Sequence, residues 1–174
     1  TTIQLLTNDY DVICIDNLSN SKRLMLARIT EISGRAPSFV LGDVRDPAAL
    51  SDVFSDHNIE SVIHFAGLKA VGESVREPLK YYDHNVAGTL NLLEAMNAYN
   101  VNQIVFSSSA TVYGDPQSVP ILETAAVAPT NPYGWTKLHV EQMLRDLSQK
   151  DESWRISILR YFNPVGAHPS GRVG

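Results

Sequence analysis

Tyr133 and Lys137 stand four residues apart in the run Tyr133-Gly134-Trp135-Thr136-Lys137, directly after Asn131-Pro132. On a helix that spacing puts both side chains on one face. An ammonium beside a phenol favours the phenolate, whose ordinary pKa is about 10, and a further positive charge nearby brings it closer to neutrality. A tyrosine so placed can serve as a general base. The same pair also occurs as solvated helix surface, so the spacing alone leaves both readings open. Upstream lies Ser107-Ser108-Ser109-Ala110-Thr111-Val112-Tyr113-Gly114. Hydroxyls at the carboxyl end of a strand sit where open α/β sheets bind ligands, although a polar turn closing the strand accounts for them equally.

These residues need a scaffold, and its outline is periodic. Apolar, β-branched runs of strand length fall at about 11–16, 38–41, 61–65, 102–107 and 155–161, with helical stretches at about 21–32, 46–56, 77–99 and 131–150. The alternation predicts a doubly wound parallel sheet in a Rossmann-like α/β fold, its strands buried on both faces. Asp46-Pro47 and Asn131-Pro132 each place a capping side chain before a proline at the first helical position, and Gly34 can end the first of these helices. No repeat or linker is visible, so residues 1–174 read as one piece of one domain.

In a dinucleotide fold, an acidic residue at the end of the second strand follows the glycine-rich turn by about 20 residues. Asp16 fits that acidic position, which places the turn before Thr1. The sequence is therefore expected to open inside the first helix, without the first strand or the phosphate cradle. A sheet lacking that central strand exposes two rows of unpaired backbone groups. Residues 1–174 alone are expected to be unstable or aggregation-prone, which a cooperative unfolding transition from a monodisperse sample would contradict.

The formal net charge is −5, with no basic block, so nucleic-acid binding is not expected. No apolar run reaches membrane-spanning length, and the first residues do not resemble a signal peptide. A soluble, cytoplasmic protein is the expectation. Cys14 lies within an apolar run and reads as a buried hydrophobe, His64 as a core histidine, and the histidines show no metal-ligand spacing.

The two blocks around Ser109 and Tyr133 resemble the active-site signature of the extended short-chain dehydrogenases. His64-Phe65-Ala66-Gly67-Leu68-Lys69-Ala70-Val71-Gly72-Glu73-Ser74 and Arg160-Tyr161-Phe162-Asn163-Pro164-Val165-Gly166-Ala167 are similar to blocks of the UDP-glucose 4-epimerase family within that group. The resemblance extends over essentially the whole chain. It implies NAD as cofactor. Asp16 would bind the adenosine ribose, with Asn17, Asn20 and Ser21 nearby and Asp43 and Val44 at the adenine. Phe65, Ala66, Gly67 and Lys69 would line the pyrophosphate and nicotinamide ribose, and Asn85 would contribute from a helix. Ser109, or Thr111, would polarise the sugar oxygen, Tyr133 would be the base and Lys137 would lower its pKa, helped by the nicotinamide charge; Tyr133 and Lys137 would also contact the cofactor. Phe162 would lie beside the nicotinamide and Asn163 beside the nucleotide sugar, with Lys69, Ser109, Thr111 and Tyr133 also lining the substrate. Trp135 departs from the small or basic residue usual in the motif.

The reaction implied is interconversion of UDP-glucose and UDP-galactose through a 4-keto sugar, with transient hydride transfer to NAD. Dehydratases and decarboxylases on this scaffold carry carboxylates after the active-site hydroxyl; here Ala110-Thr111 stands instead, which disfavours elimination. Another nucleotide-sugar epimerase, or an inactive NAD-binding protein or fragment, stays open as an alternative. The resemblance also implies a homodimer built on the helices at 77–99 and 131–150 and a C-terminal substrate domain.

Overall fold

β-Branched and aromatic residues favour a half-buried pleated surface, and in the computed structural model each expected apolar run contains a strand. The structure describes residues 1–173, so Gly174, at the end of the expected domain, lies outside the described residues. Contacts divide the chain into two units, residues 1–43 with the segment from Pro164 onward, and residues 44–163.

The first unit contains α1 (Thr2–Thr7), β1 (Ile13–Asp16), α2 (Leu24–Ser33) and β2 (Ser38–Leu41). The strands are parallel, with Ile13 opposite Ser38 and Asp16 opposite Leu41. α1 agrees with a sequence that opens in a helix. Gly34 ends α2 at φ 74°, a left-handed conformation that costs glycine little. The helix expected from residue 21 begins only at Leu24, because Asp16 holds the preceding residues in a turn. Cys14 is half-buried rather than fully buried, and burial pushes its thiol pKa up, against a nucleophilic role.

The second unit runs α3 (Pro47–Asp56), β3 (Val62–His64), α4 (Val71–Arg76), α5 (Pro78–Tyr81), a π-helical segment (Tyr82–Ala87), α6 (Gly88–Ala98), β4 (Gln103–Ser109), a 3-10 turn (Ala110–Tyr113), α7 (Pro132–Lys150) and β5 (Arg155–Tyr161). Its sheet is parallel in the order β3-β4-β5. Both predicted caps form: Asp46 accepts from the amides of Ala48 and Ala49, and Asn131 from that of Gly134. Along β4, Ile104, Phe106 and Ser108 are buried at period 2, and Phe106, Val140 and Leu144 belong to the core that joins sheet to α7. Burying a side chain such as Phe106 contributes roughly 1.5–3 kcal/mol. The helix expected over 77–99 is three segments, since the π turn interrupts it, and α4 was not expected at all.

These parallel strands with flanking helices form the Rossmann-like α/β architecture that the periodicity implied. Among the described residues β1 pairs only with β2, and β3 only with β4.

Candidate active site

β4 carries its three serines into different environments. Ser107 offers its carbonyl oxygen to the Lys137 ammonium at 2.8 Å. Ser108 turns inward and donates to the buried carboxylate of Glu141 at 2.5 Å. Ser109 accepts two hydrogen bonds, from the Thr111 hydroxyl at 2.9 Å and the Thr111 amide at 3.2 Å. A hydroxyl that already accepts twice has its own proton left to give, and accepting polarises it into a better donor. A hydrogen bond with Ser109 favours the ionised form of Tyr133.

Asn131 and Pro132 start α7 so that Tyr133 falls in its first turn and Lys137 in its second. Both are buried. The Lys137 ammonium sits 4.8 Å from the centre of the Phe106 ring and 5.9 Å from that of Tyr133, facing the tyrosine across its ring. Burial lowers Lys137 to about 8, so at neutral pH it still carries charge. Burial also raises the Tyr133 pKa, and the Ser109 hydrogen bond offsets only part of that. Desolvation is thus the larger influence on the phenol in the protein alone, and the ammonium faces its ring while donating to Ser107. The Thr111 amide and hydroxyl both hold the Ser109 oxygen.

Behind this pair lies the loop after β3. Phe65, Ala66, Gly67 and Lys69 are exposed. Gly67 has φ 151°, and a Cβ there would come within 3.0 Å of the Asn85 side-chain oxygen. Asn85, in the π segment, accepts from the Leu68 amide at 2.7 Å and donates to the Leu68 carbonyl at 2.9 Å and to Thr136 at 3.0 Å. Its side-chain amide thus ties the loop to Thr136 on α7. A π bulge at such a position is a common functional device.

His64 is a satisfied core histidine. Its Nε2 lies 2.8 Å from the Thr89 hydroxyl, which itself donates to the Asn85 carbonyl, so Nε2 must carry the proton. Burial, with the Lys137 charge as a smaller cause, lowers its pKa to about 3. Sequence reasoning missed Tyr81, fully buried and edge-on to Tyr133 at 6.5 Å. Its hydroxyl bonds Glu73 and Ala70, and burial followed by the Glu73 contact pushes its pKa up to about 12. Nothing in the local spacing marks it.

Beyond β5, Phe162 is exposed and stacks on Tyr113 at 6.5 Å, and Asn163 is exposed beside it. Val44 packs against Gly88.

In the first unit, Asp16 ends β1 and accepts from the Leu18 amide at 2.6 Å and the Ser21 hydroxyl at 2.7 Å. Asn17 donates to Asp43 at 2.8 Å and accepts from the Ser19 amide at 2.9 Å. Asp16, Asn17, Ser21 and Asp43 are thus brought together, with Asn20 exposed in the same turn. Arg23 lies over the Phe39 ring, 5.4 Å from its centre. Among the described residues no group of three or more histidine, cysteine or acidic side chains could hold a metal, and no helix is long and apolar enough to cross a membrane.

Residues 1–174 match the NAD dependent epimerase/dehydratase family. Over its whole length the chain is 55% identical to the UDP-glucose 4-epimerase of Bacillus subtilis, covering 51% of that protein. It is 53% identical to the Dictyostelium discoideum UDP-glucose 4-epimerase, again over the whole chain and 51% of the relative. The structure is similar to that of UDP-glucose 4-epimerase from Bifidobacterium longum, crystallised with NAD+ and UDP, with a TM-score of 0.97, 54% identity and coverage of 99% of this chain and 52% of the other. The chain spans about half the length of the curated relatives it matches.

Proposed function

Because the chain belongs to the NAD dependent epimerase/dehydratase family, we propose that the protein of which it is part interconverts UDP-glucose and UDP-galactose. The family match across residues 1–174 supports reading both units as parts of one NAD-binding domain. The residues present suit the cofactor: a carboxylate oriented at the end of β1, and a glycine loop whose Gly67 admits no side chain beside Asn85. Asp16 would accept from the ribose hydroxyls and repel a 2′-phosphate, with Asn17, Asn20, Ser21, Asp43 and Val44 around the adenosine. Phe65, Ala66, Gly67, Lys69 and Phe162 would line its other half. The chemistry supplied by bound NAD would be that of a reversible hydride acceptor for the sugar C4.

The chain's own residues handle the proton. Tyr133 takes it from the 4-hydroxyl as the C4 hydrogen departs as hydride, leaving a 4-keto sugar. Ser109 donates to the sugar oxygen, and Lys137 stabilises the phenolate through the field across its ring. Tyr133 would give its proton back to the oxygen of the turned keto sugar as that sugar is reduced on its other face, so that the cycle closes without net oxidation. Lys69, Thr111 and Asn163 would border the sugar nucleotide. The observation that carries this reading is the Ser109, Tyr133 and Lys137 constellation followed by Ala110-Thr111, where no carboxylate is available for elimination.

The test is the full-length protein incubated with UDP-galactose and followed by proton NMR without added reductant. UDP-glucose should appear, and a Tyr133→Phe protein should lack it. Persistence of the galactose signal in an NAD-loaded protein would overturn the reading. A second sugar substrate is suggested by 31% identity and a TM-score of 0.83 to a UDP-N-acetylglucosamine 4-epimerase from Methanobrevibacter ruminantium. We further propose a cytoplasmic homodimer, for which the exposed Leu79, Leu90 and Trp135 on the α5, α6 and α7 helices are the supporting feature.

A further inference from the structure

Tyr133, Lys137 and Glu141 recur at intervals of four along α7, so one helical stripe carries a phenol, an ammonium and a carboxylate about 6 Å apart in succession. The first two belong to the mechanism above; the third is fully buried and unused by it. Glu141 accepts from Ser108 at 2.5 Å, from Arg145 at 2.7 Å, and from Arg160 twice, at 3.0 Å and 2.7 Å. Burial alone would raise its pKa, but the bonds from Arg160, Ser108 and Arg145 outweigh this and hold it below the usual carboxylate value.

Such a carboxylate is a poor way to gain stability, since well-packed apolar residues do as well or better in the same volume. What apolar packing does not do is stop one element sliding along another. Glu141 joins three elements: Ser108 on β4, Arg160 on β5, and its own helix. Ser108 and Arg160 are direct partners in the β4–β5 ladder, as Ser107 is with Leu159 and Ser109 with Tyr161. Arg160 continues outward, its guanidinium 4.7 Å above the Tyr113 ring, and Tyr113 stacks on Phe162. The serines on either side of Ser108 are those that contact Lys137 and Thr111.

We propose that Glu141 is a positioning residue: held by Ser108, Arg145 and Arg160, it sets the axial register of α7 on β4, and hence the placement of Tyr133 and Lys137 against Ser107 and Ser109. Arg160 extends the same constraint to Tyr113 and Phe162. The kinetic side of this role rests on the epimerase reading; the placement of Tyr133 does not.

The experiment compares full-length wild type, Glu141→Gln and Arg160→Lys in three respects. NAD content reports folding. Tyr133 ionisation is read by tyrosinate absorbance against a Tyr133→Phe background; the groups facing it are Ser109 from β4, Lys137 from α7 and Tyr81 from α5. Turnover of UDP-galactose gives kcat, KM and the isotope effect for substrate deuterated at C4. Both variants should keep their NAD and a KM within about twofold of wild type. Their kcat should fall ~30-fold, with a larger isotope effect, as a displaced base slows the chemical step. Tyr133 ionisation should move upward by about half a pH unit as Ser109 and Lys137 lose their placement.

A kcat lowered only in proportion to lost NAD-loaded protein, with isotope effect and ionisation unchanged, would overturn the proposal and leave Glu141 structural. If Glu141→Gln does not fold, Ser108→Ala decides: it removes the strand tie and leaves the ion pairs, and unchanged kcat and ionisation there would sink the idea. Should wild type not turn over UDP-galactose at all, the epimerase reading fails, and the ionisation comparison still decides the positioning role.

Discussion

The turn after β1 and the end of β4 both present oxygen atoms at the carboxyl end of a parallel strand, but they are held differently. Around Asp16, the bonds to Leu18 and Ser21 span two and five residues and are exposed to solvent. At β4, the bonds from Ser108 to Glu141 and from Lys137 to Ser107 span 33 and 30 residues, and Ser108, Glu141 and Lys137 are buried. A binding turn tolerates small adjustments, because a ligand can settle onto it. A base that must meet one proton does not, and fixing it takes contacts from several elements.

Four substitutions in the full-length protein sharpen or break this contrast. Tyr133→Phe removes the proposed base, and kcat should fall by roughly 10³-fold or more with nucleotide binding retained, measured by NMR turnover and NAD content. A loss below tenfold would mean that another group takes the proton. His64 probes the buried region by pH. Its folded pKa of about 3 lies below that of an unfolded histidine, so as pH drops below about 6.5 the unfolded chain gains a proton that the folded one refuses. Stability present at neutral pH should therefore decline by about 2–3 kcal/mol between pH 7 and pH 4.5. Urea midpoints at the two pH values should show this, and His64→Gln should flatten it; parallel pH dependence in both proteins would contradict the burial argument.

On the turn the effects should be smaller and confined to binding. Asp16→Ala should weaken NAD about 10-fold, the scale of a lost charged hydrogen bond, with kcat at saturating NAD little changed. A kcat that fell with it would erase the contrast. Ser21→Ala only loosens the Asp16 carboxylate, and a rise of about twofold in the NAD dissociation constant is expected by titration.

The same contrast explains what could be read from sequence. Local features were legible: the strand runs, the caps at Asp46 and Asn131, the glycine stop at Gly34, and the Tyr133–Lys137 spacing, because each is decided by residues within a turn or two. Asp16 was singled out by its place at the end of a strand, and Ser109 by the family block around it. Glu141 and Arg160 were missed because their meeting depends on β5 lying beside β4, which no local spacing announces. Tyr81 reaches Tyr133 only through tertiary packing. The bonds of Asn85 to Leu68 could not be read from sequence, since the π turn that aims it there has no compositional signature. The six-residue α4 is too short to show a period.

The central claim is that Tyr133 handles only the hydroxyl proton while the hydrogen on C4 never leaves the site. The most direct measurement is conversion of UDP-galactose by the full-length protein in deuterium oxide, with the product examined by proton NMR at C4. The account predicts UDP-glucose with a full complement of protium at C4, because hydride is returned from the cofactor. Deuterium at C4 would mean exchange with solvent during inversion, and would contradict it.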